Sequence, residues 1–238
     1  MKILTNKSNA TILQNIVVVL ITTLALGCVR QGGVDIQRLD TGWKLYSDTL
    51  DTLFRIEMPG NVFQLLYEQD RAAHYHAHEA EKSLAALSEK TWIWETTFTP
   101  DVEVLKHNNL ILNLEGINTL AKIELNDQEV YVADNMFRTH EIPVKALLHN
   151  GLNKLRLIFP PHAVYLDSLA RKAKVALPDS RAFLRKAAYQ SGWDWAPEII
   201  SPEISKAPVL KGWSKVKVNA VSVLQTQVDS EEASLTLV

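Results

Sequence analysis

The residues best equipped for chemistry are gathered in one stretch, Arg185-Lys186-Ala187-Ala188-Tyr189-Gln190-Ser191-Gly192-Trp193-Asp194-Trp195-Ala196-Pro197. A carboxylate between two indoles, entered from a Gly and closed by a Pro, loses solvation to aromatic walls and needs donors to compensate. Sugar hydroxyls are such donors, and the apolar C–H face of a pyranose suits an indole. One reading therefore makes Asp194 an acceptor for ring hydroxyls, with a Trp walling the ring. The other makes Trp193 and Trp195 core side chains, with Asp194 the partner of an indole N–H. Spacing alone leaves both open.

Two other constellations invite chemistry. In His74-Tyr75-His76-Ala77-His78-Glu79, a helix would put His74 and His78 on one face and a strand would align all three imidazoles. No further ligand is identifiable and the flanks are Ala- and Glu-rich, so the segment reads as a solvated surface and no metal site is expected. Asn135-Met136-Phe137-Arg138 reads as structural, with Met136 and Phe137 filling core gaps and Arg138 pairing with a loop carboxylate; a ligand role for Arg138 stays open. Ser191 lacks a Gly-x-Ser-x-Gly context, and the chain has no Gly-rich phosphate loop.

The elements that must position these residues are mostly strands. Thr91–Phe98 is rich in aromatic and β-branched residues, and Leu110, Leu112 and Leu114 fall on one face at period two. Ala121–Leu125 and Glu129–Val132 flank the turn residues Asn126-Asp127 and predict a hairpin. Ile142–Val144 and Leu155–Phe159 are further strands, with Asn150-Gly151 as a turn between them. Helical spacing is confined to Asn61–Tyr67, after Pro59-Gly60, and to Ala163–Val175. Short strands without a βαβ rhythm predict a mainly β fold, an antiparallel β-sandwich. After Lys215 a new alternation begins with Val216 and Val218, and the sequence stops at Val238 in what reads as mid-strand, which predicts that more protein follows.

Composition bounds the possibilities. At 238 residues, 47% hydrophobic and 22% charged, the chain suits one substantial domain and the start of another. A net charge of −2 with dispersed Lys and Arg gives no basic field, so nucleic-acid binding is discarded. Near the N-terminus, Lys2 and Lys7 precede the apolar run Ile16–Leu26. That length suits a signal-peptide core, whereas a membrane-spanning helix needs about twenty residues. Leu24-Ala25-Leu26-Gly27-Cys28 resembles a bacterial lipobox, with Ala25 where Leu is more usual, and Cys28 is the only cysteine. Residues 1–27 therefore read as an export signal, Cys28 as a lipidation site and 28–38 as a tether. The expected location is the periplasm or the outer membrane, with the membrane reached through the lipid anchor.

Several ordered blocks carry a family resemblance. Glu115-Gly116-Ile117-Asn118-Thr119-Leu120-Ala121, Leu125-Asn126-Asp127, Ala133-Asp134-Asn135-Met136-Phe137-Arg138 and Gly192-Trp193-Asp194-Trp195 resemble the N-terminal domain of the β-mannosidases of glycoside hydrolase family 2. Trp43-Lys44 and Met58-Pro59-Gly60-Asn61-Val62 resemble that family's entry strand and its Pro-Gly-Ser-Val element. The resemblance implies a jelly-roll, galactose-binding-like sandwich over 39–220, followed at 221–238 by the first strands of a truncated immunoglobulin-like domain. It also implies a mannoside or β-mannan-derived oligosaccharide as ligand and no cofactor. Asp194 would grip sugar hydroxyls at the nonreducing-end mannose, Trp193 and Trp195 would shape the pocket, and Arg185 would give electrostatic support.

The sequence departs from the pattern in three places. Ala196 stands where the family has Gly, so a positive φ there would be strained. Residues 71–87 lack the Pro-Asp-Pro element and suggest an altered helix. The pair of Glu residues that the family carries on a later catalytic barrel has no counterpart here. The chain by itself is accordingly expected to be inactive. Asp194 with Glu198 or Glu203 is the only carboxylate grouping near the aromatic loop, and nothing in its spacing sets the separation that glycoside hydrolysis needs. A non-catalytic surface carbohydrate-binding module and a non-functional fragment are the competing expectations.

Overall fold

The computed structural model describes residues 33–72, 80–198 and 201–238; the expected export signal, Cys28 and the His74–Glu79 segment lie outside the described residues. Residues 34–214 form one compact unit, and the described residues 215–238 belong to another.

The larger unit begins with β1 (Asp35–Arg38), β2 (Trp43–Ser47), β3 (Leu50–Ile56), β4 (Gly60–Asn61), α1 (Val62–Glu68) and α2 (Ala80–Ser88). It continues through β5 (Trp92–Phe98), α3 (Val102–Leu105), β6 (Asn109–Leu114), β7 (Ile117–Asn118), β8 (Ala121–Leu125) and β9 (Gln128–Ala133). It closes with β10 (His140–Pro143), β11 (Asn153–Phe159), α4 (His162–Lys172), β12 (Ser191–Trp193), β13 (Ala196–Glu198), β14 (Glu203–Ile204) and β15 (Val209–Trp213). Six strands form one antiparallel sheet in the order β3-β2-β5-β11-β8-β9, and four form another in the order β1-β15-β6-β10.

In β5 and β11, neighbours in the larger sheet, period-two patterning fixes which face is buried. In β11, Asn153, Leu155, Leu157 and Phe159 are buried while Lys154, Arg156 and Ile158 are half-buried on the other face. In β5, Trp92, Trp94 and Thr96 alternate in the same way. Leu110, Leu112 and Leu114 of β6, Ile142 of β10 and Leu210 of β15 join these side chains in one core cluster. The inner faces of two antiparallel sheets thus share a core, which is the sandwich that the strand pattern predicts.

Local chemistry explains the connections. Asn126 and Asp127 take φ of +53° and +64°, the left-handed pair that a two-residue hairpin between β8 and β9 demands. The Asn126 amide donates to the Leu147 carbonyl at 2.8 Å and accepts from the Lys154 N–H at 2.9 Å, so the turn is tied to β11. Asn61 caps α1 by accepting from the Gln64 N–H at 3.2 Å, and the Ser201 hydroxyl donates to the same oxygen at 2.9 Å. The predicted helix over 163–175 appears as α4, and α2 occupies the end of the segment expected to be an altered helix.

The structure differs from expectation at both ends of the larger unit. Asp35–Arg38, expected in the tether, pairs with β15 in register Asp35↔Gly212 to Arg38↔Val209. Its apolar content is too low to announce a strand, and the ladder of its partner supplies the reason to be one. At the other end the compact unit stops at Ser214, whereas the sandwich was expected to run to 220. His107 links the two ends, with Nε2 2.8 Å from the Asp35 carboxylate and Nδ1 3.0 Å from the Ser214 hydroxyl. In the second unit Val216 and Val218 are not in a strand; β16 (Val223–Val228) pairs with β17 (Ala233–Leu237) as a single antiparallel hairpin.

Candidate functional site

Residues 185–197 fold as a ladder of small pieces. Single 3-10 turns at Ser180–Phe183 and Ala188–Gln190 lead into the β12–β13 hairpin. Ser191 pairs with Glu198 and Trp193 with Ala196, which leaves Asp194 and Trp195 as the two residues of the tip. Gly192 enters at φ +90°, a conformation that other residues rarely adopt. Ala196 opens the returning strand β13.

Several contacts hold this ladder on the sandwich. Asn135 and Arg185 form a parallel bridge, and the Met136 N–H donates to the Arg185 carbonyl at 3.0 Å. The Ala187 N–H reaches the Met136 sulfur at 3.2 Å. Arg181 is oriented by Asp179, with Nε 2.8 Å from the carboxylate, and donates to the Ser191 carbonyl at 3.2 Å. The buried Asn118 amide donates to both Gln190 Oε1 and Glu203 Oε2, each at 3.3 Å. Glu203 itself sits in β14, between β4 and β7 of a small three-stranded sheet.

Both indoles are exposed, Trp193 at 54% and Trp195 at 76%, and Asp194 is exposed with them. The reading that buries these Trp residues in the core is therefore not what the chain does. Asp194 makes no hydrogen bond or ion pair with any described residue, so its carboxylate stands free at the hairpin tip between two apolar surfaces. Such a tip can accept hydroxyl hydrogen bonds and offer a flat face to a ring. Arg185 is exposed, and its backbone rather than its side chain makes the contacts to the loop at 135–136.

The Asn135–Arg138 loop differs from expectation. Met136 is half-buried, but Phe137 is 69% exposed and so fills no core gap. Among the described residues Arg138 pairs with no carboxylate; its backbone N–H reaches the Asn135 carbonyl. Phe137 points outward because Asn135 Oδ1 accepts its N–H at 2.9 Å and turns the chain away from the core.

Two residues that the sequence did not single out lie beneath the ladder. Lys186 and His162 are both buried, and Lys186 Nζ and His162 Nδ1 have no hydrogen-bond partner among the described residues. Burial pushes the Lys186 ammonium down to about 8, against the opposing pull of Glu203 and Glu198. Burial, reinforced by the Lys186 charge, holds the His162 imidazole down to about 4. A lysine in a loop reads as a surface residue by default, so no sequence signal marked it. Beside it, a cleft of about 350 Å³ is lined by Leu177, Arg181, Leu184, Lys186 and Ser191 among others.

The family model for the glycosyl hydrolase 2 galactose-binding-like domain matches residues 43–206. β-Mannosidase B of Aspergillus clavatus is 26% identical over 210 residues, covering 83% of this chain and 25% of its own length. β-Mannosidase B of Aspergillus terreus is 29% identical over 184 residues, covering 71% and 21%. The solved β-D-mannosidase of Dictyoglomus thermophilum superposes with a TM-score of 0.79 at 30% identity, over 85% of this chain and 25% of that one. An exo-chitosanase from Amycolatopsis orientalis shares the fold, with a TM-score of 0.63 at 16% identity over 85% of this chain and 24% of that one. The chain thus spans about a quarter of the length of these relatives. Strand order, blocked motifs and a family match over most of the sandwich agree: the chain belongs to the galactose-binding-like domain family of the family 2 glycosyl hydrolases.

Proposed function

We propose that this chain is the N-terminal carbohydrate-contacting part of an exported, lipid-anchored β-mannosidase, and that it contributes subsite residues for a nonreducing-end β-mannosyl unit. The observation that carries this reading is the free Asp194 carboxylate at the hairpin tip, flanked by the exposed indoles of Trp193 and Trp195. Asp194 accepts sugar hydroxyls, the indoles wall the ring, and Arg185 supplies positive charge nearby. Hydrolysis belongs to a catalytic barrel with two Glu residues elsewhere in the complete enzyme, and the 221–238 hairpin opens the immunoglobulin-like domain that precedes it. Names of the relatives support mannoside as the substrate class. The apolar run at Ile16–Leu26 and the Leu-Gly-Cys28 sequence support export and anchoring through Cys28, with the periplasm or outer membrane as the location.

Asp194→Ala in the complete enzyme tests the site. An aryl β-mannoside should show a raised KM and a lowered kcat, with kcat/KM down about a hundredfold for the loss of charged hydrogen bonds. Unchanged kinetics would remove Asp194 from the subsite. The competing reading, a binding module without catalysis, predicts that the chain alone captures mannobiose with micromolar affinity.

A further inference from the structure

We propose that Lys186 is a positioning residue for the Trp193–Asp194–Trp195 tip: its buried ammonium is the seat for the Glu198 carboxylate, and seating that carboxylate fixes the indoles and Asp194 in place. This rests on the reading of the tip as a sugar contact only for its consequence in binding; the seating itself is a property of the free protein.

An ammonium that is nine-tenths buried without an acceptor is costly, and such groups are normally paired. Lys186 cannot easily leave, because the residues on either side of it are fastened to Asn135 and Met136 by backbone contacts. The charged groups around it are His162 at the start of α4, Glu203 on β14, Glu198 on β13 opposite the Ser191 that shares the Lys186 cleft, and Asp179 and Arg181, which line the same cleft and are paired with each other at 2.8 Å. His162 is a base without a negative charge to offer. Glu203 already accepts from Asn118 and is held between two strands of the small sheet. Glu198 is different. It is exposed, makes no hydrogen bond or ion pair with a described residue, and lies on the returning strand opposite Ser191. It is therefore the carboxylate free to move, and the strand that carries it also carries one side of the tip. α2 packs against that strand and offers a surface for it to settle on.

The test uses the full chain and four forms: wild type, Lys186→Met, Glu198→Gln and the double variant. Amide hydrogen exchange over 191–198 reports the order of the tip, corrected for intrinsic rates at pH 6.5 and 9.5, and thermal melts report the fold. At pH 6.5 each single variant should lose about tenfold in protection over 191–198, in line with a charged hydrogen bond. The double variant should lose no more than either single one. Wild type should fall to the same level at pH 9.5, as the ammonium deprotonates, while Lys186→Met stays flat with pH. Lys186→Met should melt no lower than wild type, because methionine keeps the buried stem, removes the desolvation cost of the ammonium and leaves Glu198 in water; a purely structural lysine would instead lower the melt and leave no pH step. Additive losses, or wild-type protection in Glu198→Gln, would overturn the proposal. Methyl β-mannoside titrated into the same samples separates the two ideas. If the tip shows the coupled protection but no sugar binds, the seating stands and the sugar reading fails.

Discussion

His162 offers the most direct energetic test of the structure. Its imidazole is buried at the start of α4 with Nδ1 unpartnered, and burial holds it neutral down to about 4 against an ordinary value of 6.5. The unfolded chain therefore takes up a proton below pH 6.5 that the folded chain refuses until about pH 4. Stability must fall as pH falls through that window and level off below it. Between pH 7 and 4.5 the loss from this one group is about 2.5 kcal/mol, from the two proton affinities. For a domain of this size that corresponds to a melting temperature lower by about 5–10 °C. Carboxylates also titrate in this range, so the assay is a comparison. Urea unfolding, followed by tryptophan fluorescence, is run at both pH values on wild type and on His162→Gln, which is neutral throughout. The variant should lose about 2.5 kcal/mol less than wild type over the interval. Parallel losses would refute the claim that His162 is buried uncharged.

Two further substitutions probe the frame that carries the site. Gly116 sits at φ +67°, and a β-carbon there would come 1.7 Å from Ser205 Oγ, so Gly116→Ala should cost about 2 kcal/mol by denaturant unfolding while leaving β12–β13 intact. Leu157 is fully buried at the centre of β11, and Leu157→Ala should cost about 3 kcal/mol with an unchanged m-value; a loss below 1 kcal/mol would mean that the two sheets do not share a tight core there.

Legibility in the sequence followed burial. β5 and β11 announced themselves because one face of each meets the core and alternation records it, whereas β6 and β8 are buried almost throughout and were legible from their apolar residues. The Asn126-Asp127 hairpin was equally readable, since few residues tolerate two left-handed positions in a row. β1 was not, because Asp-Ile-Gln-Arg owes its conformation to the β15 ladder rather than to its own side chains. Phe137 was misread for a related reason. An aromatic residue signals burial on average, and only the Asn135 turn reveals that it faces out. At the site, the Trp-Asp-Trp tip stood out by composition alone. Lys186 and His162 did not, because what distinguishes them is burial, and the residues that bury them are brought together only by the fold.

The edge pairing of β1 with β15 has a mechanical consequence. Entry at Val34 and exit at Ser214 lie at the same end of two antiparallel neighbours, with Asp35 opposite Gly212. A pull between polypeptide upstream and polypeptide downstream would load this pair in the unzipping direction, one ladder bond after another, rather than shearing all of them together. The first link to yield is the His107 imidazole that joins Asp35 to Ser214. Under tension, then, the sandwich would peel from this corner long before its tryptophan-lined interior felt the force.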